Sequence, residues 1–130
     1  MKIQIMHRLE AKVLFECEAD SLKIALELAV KQKVDLDGAN LDGANLSGAN
    51  LSGAKLDGEK LDKCPIQLLG LKWFVLITKK NIKIGCELHT AEEWFKFPDK
   101  RIALMNRDAL AWWKDNKKVI KALWENHCKS

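Results

Sequence analysis

The chain has 130 residues, 48% of them hydrophobic, with 22 basic against 18 acidic residues for a net charge of +4. That length suits one compact unit or two small ones tightly joined, and it argues against two large independent cores. Met1 to Ile5 lacks the apolar run of a secretory leader, and the best apolar stretch, Leu68 to Thr78, is broken by Gly70 and Lys72, so a protein of the bacterial cytoplasm with no membrane contact is expected.

In chain order, Ile3 and Ile5 alternate with polar residues, and Val13-Leu14-Phe15 follows the polar stretch His7 to Lys12. That pattern predicts a strand pair. A helix over 22–32 is predicted next, since Asp20 or Ser21 can cap it and Leu22, Ala25, Leu26 and Ala29 fall on one face. Residues 1–33 are read as one N-terminal piece.

From Val34 the texture changes. Val34-Asp-Leu-Asp-Gly is followed by units opening at Ala39, Ala44, Ala49, Ala54 and Glu59, six in all, with leucine third in every one. A period of five matches neither helix nor strand, so the chain has to turn at each unit to keep the leucines together. The segment 34–63 resembles pentapeptide-repeat proteins, in which a small residue, Asn or Asp, and Leu or Phe precede two variable residues. The resemblance implies a short right-handed quadrilateral β-helix with Leu36, Leu41, Leu46, Leu51, Leu56 and Leu61 inward and the glycines at 38, 43, 48, 53 and 58 at corners. Six units amount to about one and a half coils at the usual ~4.8 Å strand spacing. So short a stack needs capping at both ends, by the 22–32 helix and by the C-terminal piece. Glu59, where a small residue belongs, marks the point where the coil gives way.

In the remaining piece, 64–130, Leu71 to Thr78 is strand-prone and Ile82 to Cys86 alternates strictly, which predicts a β-hairpin with the basic turn Lys79-Lys80-Asn81. Thr90 to Glu93 is a capping box opening a short helix, and Pro98-Asp99 starts another. A last helix begins near Asn106 or Asp108, with Ala109, Trp113, Ile120, Leu123 and Trp124 on one face and Lys114, Lys117, Lys118 and Lys121 beside it. The expected fold class is α+β. Lys2-Ile-Gln-Ile, Val13 to Cys17, Ile84-Gly-Cys86, His89, Glu93-Trp94 and Ala111-Trp-Trp113 together resemble segments that accompany short pentapeptide arrays in tailed-phage and prophage proteins.

No phosphate loop, dinucleotide fingerprint, nucleophile elbow or HExxH is present, so no catalytic residue and no cofactor is expected. Cys17, Cys64, Cys86 and Cys128 show no framework spacing and are read as free thiols. Cys86, His89, His127 and Cys128 have the residue types of a zinc site, but the adjacent second pair departs from ligand spacing, and no metal is assigned.

Five tryptophans and no tyrosine, all within 73–124, accompany 13 of the 22 basic residues in the stretch from Leu71 onward. Tryptophan beside Lys or Arg holds bases by stacking and phosphates by charge. One expectation is therefore a non-enzymatic, phage-type counter-defence protein that sequesters a small anionic nucleotide, such as a cyclic second messenger, in a dimer or tetramer. Its ligand-binding residues would be Trp73, Lys79, Lys83, His89, Thr90, Trp94 and Arg101. The alternative is a protein-binding module that inhibits a host factor, with the repeat as scaffold or interaction surface. Direct nucleic-acid binding is not expected, because the repeat carries an acidic surplus of six to three over Val34 to Gly70.

Overall fold

A computed structural model describes residues 1–41, 45, 46 and 48–129. The chain divides into two compact units, Met1–Gln67 and Leu68–Ser130, both mixing helix and strand.

In the first unit β1 (Lys2–Met6) pairs antiparallel with β2 (Val13–Glu18), Ile3 opposite Cys17 and Ile5 opposite Phe15. Alternation turns Ile5 inward, where it is buried. The connecting turn is tied by His7, whose Nδ1 accepts from the backbone N–H of both Leu9 and Glu10 at 3.1 Å. Helix α1 (Leu22–Lys31) starts at Ser21, whose hydroxyl accepts from Ile24 N. Its buried stripe of Ala25, Leu26 and Ala29 belongs to a helix packed on β1 and β2.

All six repeat leucines are buried, none more than 4% exposed, and Ala39, Ala49 and Ala54 are buried beside them. Val34 is half-buried; Ala44, Asp42 and Gly43 lie outside the described residues. Gly38, Gly48, Gly53 and Gly58 all have φ between +75° and +87°, the left-handed region that glycine enters without penalty. Twenty residues, or four units, separate Asp35 from Lys55, which form a parallel bridge in which Leu36 N donates to Lys55 O. Side chains reinforce it reciprocally: Asp57 Oδ1 accepts from Gly38 N at 3.0 Å and Asp37 Oδ1 from Gly58 N at 2.9 Å.

The end of the repeat departs from expectation. β3 (Lys55–Leu56) and β4 (Glu59–Lys60) form an antiparallel hairpin around Asp57-Gly58, both at positive φ. Asp-Gly is a preferred dipeptide for such a turn, and Glu59 is too large for a small-residue position, so the sixth unit folds back on the fifth. Small antiparallel sheets and a single parallel bridge thus stand among the described residues in place of the continuous parallel ladder expected of a quadrilateral β-helix. A short strand, β5 (Ile66–Leu68), falls where the two units divide.

The second unit contains an antiparallel meander of β6 (Val75–Ile77), β7 (Asn81–Ile84) and β8 (Glu87–Thr90). The expected hairpin is present, but its first strand is shorter than 71–78, because Gly70 at φ +84° and the bends after it break the extended run. β8 was not foreseen. Gly85 at φ +57° makes a second tight turn and sends the chain back along β7. Val75 and Ile77 pair with Ile84 and Ile82, so all four share one sheet face, and all are buried.

Helices α2 (Ala91–Lys96), α3 (Asp99–Ala103) and α4 (Ala109–Lys129) follow. The Thr90–Glu93 capping box is complete in both directions. Trp94, Ile102, Trp113 and Ile120 supply the helical part of the core. Trp124 Nε1 donates to Lys79 O at 2.8 Å and pins α4 to the first hairpin turn. No helix among the described residues is long and apolar enough to cross a membrane.

Candidate ligand-binding pocket

Four of the five tryptophans meet around one half-open pocket of about 90 Å³ in the second unit. Trp94 sits on α2, 3% exposed, with its indole N–H donated to Ile82 O at 2.7 Å, an arrangement that satisfies the ring's polar atom inside the core. Trp112 and Trp113 are consecutive on α4 and therefore about 100° apart around its axis. Trp113 points into the core and packs 5.2 Å from Trp94, whereas Trp112 meets Trp73 edge to face at 5.5 Å. Trp73 in turn lies on Gly85, where an added Cβ would come within 3.1 Å of its Cδ1.

The rest of the lining is apolar, including Ile84, Ile102 and Met105, with Cys86, Glu87 and Asn106 as polar members. Among the described residues Glu87 is the one lining residue with a formal charge, and its Oε1 lies 2.8 Å from His89 Nε2. No lysine or arginine among the described residues lines the pocket. Lys72 is nearby, its Nζ 5.4 Å from the Trp73 ring centroid and 2.8 Å from Asp108.

The residues singled out from sequence do not form one constellation. Trp73 and Trp94 share the pocket, but Trp94 is a buried wall, and a base could not stack on its face without opening the core. Lys83 is 4% exposed and its ammonium donates to Gly85 O at 2.8 Å. Lys79 is half-buried in the first hairpin turn. His89 and Arg101 both contact Phe97, with ring and guanidinium each 5.0 Å from its ring centroid. Thr90 is taken up in the capping box. Its partner Glu93 has a carboxyl held below the usual range by the Thr90 backbone N–H, and the Glu92 and Glu93 carboxylates set negative charge in the first turn, where an anionic ligand on Thr90 would have to approach.

Among the described residues no group of three or more His, Cys, Asp or Glu is placed to hold a metal ion. His89 pairs with Glu87 rather than with Cys86, and the Cys128 thiol points to Lys79 O at 3.7 Å. Trp112, Glu87 and Asn106 were missed as site residues. The signal for Trp112 was its position one residue off the α4 stripe; Glu87 and Asn106 depend on β8 and on the turn before α4.

The first unit has a larger open groove of about 700 Å³ beside the end of α1, bordered by Lys31, Lys33, Lys55 and Lys60 with Asp35 and Glu59. Lys55 is 3.3 Å from Asp35 and 3.5 Å from Asp37, so much of its charge is already answered.

Residues 32–64 match the family model of pentapeptide repeats, in eight copies. That span encloses the six units read from the sequence and covers about a quarter of the chain. No curated protein and no solved structure matches the chain.

Proposed function

We propose that the chain is a non-enzymatic binding protein whose second unit takes a small ligand in the tryptophan-lined pocket, with the pentapeptide-repeat unit as scaffold and assembly surface. The observation that carries this reading is the convergence of Trp73, Trp94, Trp112 and Trp113 on one half-open space. A packed core ordinarily closes over its aromatic residues, whereas ligand sites are concave, mostly apolar and marked by a few polar groups. For the repeat we retain a short four-sided coil, supported by the twenty-residue bridge from Asp35 to Lys55 and the six buried leucines.

Sequestration of a small anionic nucleotide, in a phage counter-defence role, is the specific form of this proposal. The ring of the base would lie against Trp73 and Trp112, the two half-buried indoles of the lining, and the phosphates would stay outside. Lys72 on the Trp73 ring and Arg107, next in sequence to Asn106 of the pocket wall, are the cations available to them. A second reading, a module that binds and inhibits a host protein, is favoured by Leu104 and Val119, which are 81% and 56% exposed.

Thermal shift and tryptophan fluorescence against mono-, di- and cyclic nucleotides, with molar mass by light scattering, test the two together. Sequestration predicts quenching and a selective rise in melting temperature that Trp112→Ala abolishes while the fold is kept. A flat panel for every nucleotide sinks it and leaves the protein-binding reading.

A further inference from the structure

We infer that the pocket recognises a quaternary nitrogen head, an N-methylated ammonium or an N-alkylpyridinium, by tryptophan faces with Glu87 as counter-charge. The inference rests on the pocket named above as the ligand site and specifies what enters it.

Size comes first. An engineered apolar cavity of about 150 Å³ accommodates benzene. At about 90 Å³ this pocket is too small to engulf a purine and suits a compact head, or the leading edge of a single ring.

Charge decides the rest. Indole faces carry negative potential and attract cations, most strongly where water is displaced, and cages of such rings are the usual way proteins hold quaternary ammonium groups. The pocket offers the half-buried indoles of Trp73 and Trp112 beside the buried walls Trp94 and Trp113, with one carboxylate, and among the described residues no cation lines it. His89 braces the Glu87 carboxylate at 2.8 Å, and a carboxylate has acceptor capacity beyond one hydrogen bond. Lys72, held by Asp108 at 2.8 Å, places its ammonium 5.4 Å from the centroid of the Trp73 ring, within cation–π range. An anionic group inserted in the same place would meet the like charge of Glu87 on the pocket lining.

Two sources of such a head are distinguishable. Choline and tetramethylammonium present the aliphatic form, and N-methylnicotinamide the aromatic one. NAD+ and NADH share every phosphate and the adenine and differ at the nicotinamide ring, positive in one and neutral in the other. The readouts are tryptophan fluorescence and the rate at which the exposed Cys86 thiol on the pocket lining is alkylated.

The expected result is protection and quenching by a cationic probe, roughly tenfold tighter than by its uncharged isostere, choline with tert-butyl in place of trimethylammonium, or nicotinamide. NAD+ would exceed NADH if the aromatic form is the natural one. Glu87→Gln would lower affinity for the cation and leave the isostere unchanged, with the melting temperature checking the fold. Equal binding of cation and isostere, or loss of both in Glu87→Gln with the fold intact, overturns the inference. If uncharged or anionic nucleotides bind and cations do not, the inference fails while ligand binding in the pocket stands. If no probe protects Cys86 or quenches fluorescence, both fail.

Discussion

Gly38→Ala isolates how the repeat is clasped to the strand pair. Gly38 is buried at φ +79°, and a Cβ there would overlap His7 Nε2 and come within 2.6 Å of His7 Cδ2. Gly53, in the same unit, has φ +87° with nothing within 4 Å of its Cβ position. Both alanine substitutions incur the left-handed backbone penalty of ~1–2 kcal/mol. Only Gly38→Ala adds overpacking, typically ~1–3 kcal/mol, because the His7 ring cannot swing aside without giving up the N–H groups of Leu9 and Glu10. At about 4 °C per kcal/mol for a chain of this size, Gly38→Ala should melt ~4–12 °C below Gly53→Ala. Thermal unfolding by circular dichroism of wild type and both variants measures the difference. A double-mutant cycle with His7→Ala should return a coupling of ~1–3 kcal/mol, since removing the ring removes the clash. Equal melting temperatures for Gly38→Ala and Gly53→Ala would refute the reasoning.

Three further outcomes follow from the same geometry. Asp57→Ala should cost ~1–3 kcal/mol by stranding the N–H of buried Gly38, whereas Asp57→Asn, which keeps an acceptor and tolerates φ +51°, should be close to wild type in urea titration. The Glu93 carboxyl titrates below the ordinary glutamate range, chiefly because it accepts the Thr90 backbone N–H. Its contribution is therefore present above about pH 4.5 and lost as pH falls through the lowered value, so the melting advantage of wild type over Glu93→Gln should shrink on acidification. Burial pushes the Cys64 thiol up, and its Sγ lies 3.5 Å from Leu46 O, while Cys86 is exposed. Since the thiolate reacts, mass-mapped alkylation near neutral pH should modify Cys86 well before Cys64 in the native protein, and the reverse order would contradict this placement.

Much of the fold was legible because its signals are local. Alternation at Ile3 and Ile5, the Ser21 cap, the five-residue period and the Thr90–Glu93 box each specify a backbone state within a few residues. The quadrilateral coil was over-extended because the period speaks for each unit singly, whereas the Asp57-Gly58 turn and bulky Glu59 decide how the last unit pairs. β8 was missed because Glu87 to Thr90 has no apolar alternation; the residues are held there by pairing with β7 and by Gly85. The site was least legible. Trp94 and Lys83 looked like binding residues by type, but burial and the bonds to Ile82 O and Gly85 O depend on contacts distant in sequence. Nothing local announced that Glu87 would stand beside Trp112.

The reciprocal bonds of Asp37 with Gly58 and Asp57 with Gly38 bear on how such a gene can change length. Duplicating five codons is the simplest slippage a repetitive tract allows, yet one extra unit between these partners would put five more residues between each aspartate and the amide it serves, and both bonds would be lost unless the added unit looped out. Variants that differ in the number of units between Gly38 and Asp57 should therefore be met with compensating changes at Asp37 and Asp57.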